Sequence, residues 1–180
     1  MPDPVVTPGK LARSAHLFYI DTNFDVTNGS PSWFLVGKDV EDMSVELNPT
    51  VETVKNILDE NTVNDNGYEP SISVDTYYAN PSDGTFYEKL RDIAMNRRTG
   101  EACRTLVLEV LVDSTSTPYR GWIEEAVIKP QSYGGAQGGV RIPYNVHFDG
   151  NRQQGNVTAL SADKKTPTFV LSGSSNVGNS

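Results

Sequence analysis

One cysteine, Cys103, stands among 180 residues. A lone thiol excludes an intramolecular disulfide and suits a reducing compartment. The two histidines, His16 and His147, lie far apart in the chain and show no metal-ligand spacing, so no zinc or other metal site is expected. Long apolar runs are also missing. The longest, near Leu106 to Val112, is interrupted by Glu109, far short of the ~18 residues that span a membrane. Met1 to Lys10 holds three prolines and no apolar stretch, so no signal peptide is expected. Basic charge is scarce: 15 Lys and Arg against 23 Asp and Glu leave a net charge of −8. A tight, general nucleic-acid binder needs a basic surface to displace counterions, and this chain lacks one.

What is present is enough for one domain with a sizeable core, since 37% of residues are hydrophobic and they are spread along the chain. The charge has a location. Between Asp39 and Glu69 stand nine carboxylates (Asp39, Glu41, Asp42, Glu46, Glu52, Asp59, Glu60, Asp65 and Glu69) and one base, Lys55. That difference is the whole excess, and the rest of the chain balances.

The pattern is mainly β. Residues 1–14 are polar and proline-bearing and read as an N-terminal arm. Apolar runs at His16 to Ile20 and Trp33 to Val36 read as strands, with Asn28-Gly29 and Pro31 marking a turn between them. Met43, Val45 and Leu47 alternate with polar residues, and so do Ile72, Val74, Thr76 and Tyr78. Residues 49–58 are ambiguous. Pro49, Val51, Val54, Ile57 and Leu58 fit a capped helix, and alternation fits a strand. Residues 59–68 read as a polar loop. Thr85 to Glu88 has the form of a capping box, followed by Phe86, Leu90 and Ile93 at helical spacing, which places the single helix near 85–98, closed by Gly100.

From Arg104 onward the chain reads as strands. Leu106, Leu108, Val110 and Val112 form one face and Val107 and Leu111 load the other, the pattern of a strand buried on both sides. Tyr119 to Lys129 follows, then a glycine-rich loop to Gly139. Val140 to Phe148 alternates, with Pro143 marking an edge or bulge. Asp149 to Gly155 reads as a turn into Asn156 to Leu160, and residues 162–180 as a C-terminal arm or flexible tail. Residues 15–161 are thus expected to form one domain.

The local motifs carry no catalysis. Tyr133 to Gly139 lacks the Gly-Lys-Ser/Thr ending and the helix of a phosphate loop. Asn64 to Gly67 lacks the bidentate glutamate of a calcium loop. Glu124 and Glu125 point to opposite faces of a strand and cannot share a substrate. No nucleophile–base–orienter set is visible, so neither enzyme activity nor a cofactor is expected. Arg91, Arg97, Arg98 and Arg104 cluster on and after the helix. With an acidic segment on the same chain, they are candidate inter-subunit contacts.

Several short segments then carry a resemblance. Val36-Gly-Lys-Asp-Val-Glu-Asp-Met, Thr53-Val-Lys-Asn-Ile-Leu, Tyr68-Glu-Pro-Ser-Ile-Ser-Val, Tyr77-Tyr-Ala, Glu88-Lys-Leu-Arg-Asp-Ile-Ala, Arg97-Arg-Thr-Gly, Val127-Ile-Lys-Pro-Gln-Ser and Phe148-Asp-Gly-Asn-Arg follow in order over about residues 15–160. Together they resemble the major tail (tail tube) proteins of long-tailed, siphovirus-type bacteriophages. The resemblance implies a β-sandwich or barrel-like protomer with one flanking helix, with residues 49–58 as a strand. It implies six copies in a ring, whose inner sheets close into one β-barrel, and rings that stack into a tube. The implied partners are other copies, the tape-measure protein, the tail terminator and distal tail or baseplate proteins, and double-stranded DNA in transit without tight binding. No membrane binding is implied. The implied location is the virion, after assembly in the host bacterial cytoplasm.

A tube that conducts DNA must not hold it, and carboxylates in its bore repel phosphate. Glu46, Glu52 and Asp75 are the candidate lumen-facing acids. The same physics serves the tube of a phage-tail-like bacteriocin or an injection apparatus. A monomeric carbohydrate-binding sandwich is a third reading, with Tyr77, Tyr119, Trp122 and Tyr133 as its aromatics.

Overall fold

A computed structural model describes residues 9–173. The chain is mainly β, with one α-helix among those residues, α1 (Thr85–Met95). Its strands are β1 (His16–Asp21), β2 (Trp33–Val36), β3 (Val45–Glu46), β4 (Pro49–Lys55), β5 (Asn61–Tyr68), β6 (Ser71–Val74), β7 (Arg104–Leu111), β8 (Tyr119–Pro130), β9 (Tyr144–Leu160) and β10 (Pro167–Leu171). Eight of them form one antiparallel sheet that curls into a half-barrel, in the order β2-β1-β7-β8-β9-β6-β3, with β10 also on β9. β4 and β5 form a separate hairpin.

The length of β9 creates the curl. Its first residues pair with β6, at Tyr144 to His147, and its last with β10, at Gly155 to Leu160. Between them the ladder to β8 shifts register around Glu125, opposite Gly150, and Asn151 takes a φ of +55°. A bulge adds twist and bends the sheet. The expected turn at Asp149 to Gly155 is therefore a bulged stretch of one continuous strand. The tail expected from residue 162 instead carries β10, because Phe169 finds an apolar seat on β9 and β8. Residues 1–8 and 174–180 of the two expected arms lie outside the described residues.

Both faces of the central strands are buried, as the double apolar pattern of β7 predicts. On one face α1 sets Phe86, Leu90 and Ile93 against Phe18, Ile20, Val107, Ile128, Tyr144 and Val146. Phe86 stacks on Phe34 with ring centroids 4.1 Å apart, and Tyr77 meets Phe86 edge-on at 5.4 Å. On the other face Leu17, Tyr19, Leu108, Val110 and Val157 pack under Phe169 and Leu160.

The helix ends differ from the sequence reading. Thr85 lies inside the first turn and Gly84, with no side chain to contribute, is the N-cap, so the capping box does not form. The helix stops at Met95, before the expected residue 98. Arg97 adopts a left-handed φ of +52°, and the Arg98 amide donates to the Ile93 carbonyl at 3.1 Å. That is a helix-closing turn in which arginine occupies the place usual for glycine. Gly100 instead begins a short 3₁₀ turn, Gly100–Cys103.

Two glycines make room for β10. A Cβ at Gly155 would lie 2.3 Å from the Val170 carbonyl oxygen and 2.5 Å from the Phe169 ring. At Gly121 the nearest atom would be a Phe169 ring carbon at 3.2 Å. Gly155→Ala is expected to cost about 1–3 kcal/mol, since backbone must yield, and Gly121→Ala less. Urea denaturation of both variants checks the order, and no loss in either would mean that β10 is loosely held.

Candidate functional site

The feature with no internal purpose is the β4–β5 hairpin. It runs out from β3 and β6, and at about 3.3 Å per residue its strands are on the order of 20 Å long. Every residue of β4 is exposed, and every residue of β5 except the half-buried Gly67. The strand reading of residues 49–58 holds for 49–55, and the local helix reading fails. The polar loop expected at 59–68 is a correction too, since residues 61–68 form β5. Cross-strand pairing decides both: Val51 faces Asp65, Thr53 faces Val63 and Val54 faces Thr62. The β-branched residues flanking Asn56 to Glu60 were the sequence signal for a hairpin.

The hairpin is ordered at both ends by asparagine. At the tip, Asn56 Oδ1 accepts from the Leu58 amide (2.9 Å) and the Glu60 amide (3.0 Å), and Asn56 Nδ2 donates to Glu60 Oε2 (2.8 Å). At the root, Asn48 Nδ2 donates to the Glu69 carbonyl at 3.0 Å. This framework holds Ile57 fully exposed and Leu58 72% exposed at the apex, with Val51, Val54 and Val63 exposed along the shaft. Leu47 and Tyr68 are exposed near its root. Val51 and Val63 lie on one face of the ribbon and Val54 on the other, so the exposed apolar residues gather only at the apex, which is the candidate contact surface.

The candidate acids divide. Glu46 on β3 is opposite Ser71, which is opposite His147 of β9. Ser73, opposite Asn145, sets its Oγ 2.7 Å from Asp75 Oδ1 and 3.1 Å from Asn145 Oδ1. Glu46 and Asp75 therefore share the solvent face of β3, β6 and β9, the side away from α1. Glu52 stands apart on the hairpin.

The candidate arginines divide as well. Arg104 pairs with Glu125 (3.2 Å) and with Asp149, and Arg98 with Asp92 (3.2 Å). These two serve their own fold. Arg91 lies over the Tyr87 ring at 5.5 Å, and both Arg91 and Arg97 are exposed without a carboxylate partner among the described residues.

A charge network, buried at Glu124 and open to water at Arg152, joins β7, β8 and β9. Arg152 donates to Glu109 Oε2 (2.5 Å) and Glu124 Oε2 (2.9 Å), and its guanidinium lies over Trp122 at 5.6 Å. His16 Nε2 sits 2.6 Å from Glu109 Oε1. Burial pushes the Glu109 carboxyl up, but the hydrogen bonds from His16 and Arg152 overcome it and hold the group below its ordinary 4.5. A lowered carboxylate adds stability above its unfolded value, which is lost as pH falls through the folded one. Stability is thus expected to drop below about pH 4.5. In Glu109→Gln that acid-side slope becomes shallower, as urea midpoints from pH 6 to pH 3 measure.

An open groove of about 890 Å³ lies between β2 and β10, with Trp33, Leu106, Ile123 and Phe169 among its walls and Glu125 and Lys165 beside them. The aromatics of the carbohydrate reading do not line it. Tyr77 is buried and donates to Asp83, and Trp122 lies under Arg152. Tyr133 sits in the glycine-rich loop, which is the loop expected. Among the described residues no group of His, Cys, Asp or Glu is placed to hold a metal ion, and no helix is long and apolar enough to cross a membrane. Cys103 is buried and donates its thiol to the Arg98 carbonyl. No protein-family model matches the chain, and no curated protein matches it.

Proposed function

We propose that this chain is a structural subunit that assembles with copies of itself into stacked hexameric rings, the tail tube of a long-tailed bacteriophage. One observation carries the reading: a β-hairpin that contributes no side chain to either core of its own domain and leaves Ile57 and Leu58 in water. Burying one such side chain is worth about 1.5–3 kcal/mol, so a partner surface is the natural place for both. The free edges of β2 and β3 support the same reading, because a ring that closes head to tail pairs its strand edges. In the assembled tube the inner sheets would close into one barrel around a bore that encloses the tape-measure protein and later conducts DNA. The face shared by Glu46 and Asp75 is the proposed bore wall, where repeated carboxylates repel phosphate. The role is structural and not catalytic. A bacteriocin or injection tube would use the same contacts.

Negative-stain microscopy of the concentrated full chain tests the proposal. Rings or hollow tubes are expected. A strict monomer across concentration and salt, with and without preformed tail-initiation complexes, would overturn it.

A further inference from the structure

We infer that the hairpin tip of one copy seats on the row formed by the half-buried Tyr87 and the exposed Arg91 and Met95 of α1, and on Arg97, of the next copy. This rests on the assembly reading above and adds the surfaces that meet.

The tip is an apolar centre with an acidic rim. Ile57 and Leu58 stand at the apex, with Asp59 and Glu60 directly after them. Residues 47–69 carry five carboxylates (Glu52, Asp59, Glu60, Asp65, Glu69) and one base, Lys55, which pairs with Asp59 at 2.9 Å. The net charge of the hairpin and its root is therefore −4.

The complementary surface is a helix row in which a guanidinium stands between two apolar side chains, with a second guanidinium just beyond the helix end. Tyr87, Arg91 and Met95 are four residues apart and lie in one row on the helix. Met95 is exposed, and the Arg91 guanidinium rests on the Tyr87 ring. Arg97 follows in the left-handed turn that ends the helix. Residues 85–104 carry five bases (Lys89, Arg91, Arg97, Arg98, Arg104) against Glu88, Asp92 and Glu101, a net +2. Arg98 and Arg104 are engaged within the chain, which leaves Arg91 and Arg97 as the accessible guanidinia. A protomer's own hairpin leaves its side chains in solvent and does not cover α1, so the opposite charges of tip and helix can meet only between two copies. The groove between β2 and β10 is the other apolar seat, but its charged side chains include Glu125 beside Lys165, so it offers an acidic rim no excess of positive charge. Opposite charge around an apolar contact fixes register and partner more than it adds raw affinity.

The experiment uses charge reversal and rescue in the full chain. Arg91→Glu/Arg97→Glu is expected to raise the concentration needed for tube formation at least about tenfold, while the melting temperature falls by only a few degrees, because Arg91 leaves the Tyr87 ring and an acid stands at the helix C-terminus. Adding Asp59→Arg/Glu60→Arg to the same chain is expected to restore assembly. In a separate chain, Leu58→Cys/Met95→Cys is expected to form intermolecular disulfides in tubes, whereas Leu58→Cys/Leu171→Cys, which probes the groove, is not. Normal assembly of Arg91→Glu/Arg97→Glu, or cross-linking at the groove only, overturns the inference and leaves the tube reading standing. An unmodified chain that never assembles overturns both.

Discussion

Ile57→Asp/Leu58→Asp is expected to stay folded and monomeric at concentrations where the unmodified chain forms rings and tubes. Both side chains project from the apex and touch nothing in their own protomer's core, so the change should move stability by no more than about 0.5 kcal/mol. Its effect falls on the contact between copies. Two buried apolar side chains contribute about 1.5–3 kcal/mol each, and carboxylates in their place must be desolvated beside Asp59 and Glu60. The loss repeats at every copy around a ring, so assembly fails nearly all-or-none. Asn56→Ala is the milder companion. It removes the acceptor that fixes the Leu58 and Glu60 amides, leaving the tip's chemistry intact but its shape loose. Partial assembly is expected there. Sedimentation velocity and microscopy measure assembly, and calorimetry checks the fold. Intact tubes from the double aspartate variant would place the tip outside every contact.

Arg152→Ala should produce the largest loss of stability, about 3 kcal/mol. Removing Arg152 strands a buried carboxylate, since Glu124 is only 5% exposed. The figure sits at the low end of the usual range because Arg152 itself is 41% exposed and water replaces part of what it supplied. Glu109 suffers less, since His16 still reaches it. The Glu124→Gln/Arg152→Ala double variant should recover much of the loss, because it leaves no buried charge unpaired. Arg152→Lys should recover little, because one ammonium cannot span two carboxylates and cover Trp122 as a planar guanidinium does. Urea denaturation at pH 7 measures all three. A full-strength Arg152→Ala variant would mean that Glu124 is hydrated and the network ornamental.

Where burial follows the local pattern, the sequence was readable. β7 and β8 are continuous apolar or alternating runs, and they sit in mid-sheet between two cores. The helix showed in the spacing of Phe86, Leu90 and Ile93, although its ends did not. Its N-cap is a glycine that offers no side-chain cap, and its final turn is made by an arginine at positive φ, where glycine is usual.

Each misread segment has its own physical cause. β5 is polar along most of its length and has no buried face, so no alternation could mark it. It exists because its backbone pairs with β4. β10 looked like a tail because only Pro167 of it is buried and its one ring, Phe169, seats over the bare backbones of Gly121 and Gly155. Asp149 to Gly155 looked like a turn because its glycines serve a bulge and a close strand crossing, not a reversal.

The candidate site divides along the same line. Composition alone located the acidic excess between Asp39 and Glu69 and the basic cluster after residue 90, because net charge is a sum over residues and needs no geometry. Which of those charges face a partner is a question of distance. Only the folded chain spends Arg98 and Arg104 on its own carboxylates, leaves Arg91 and Arg97 outside, gathers Glu46 and Asp75 on one face, and lifts Ile57 and Leu58 out on a hairpin. Local residues determine propensity and charge, whereas pairing between distant strands determines which of them remain exposed.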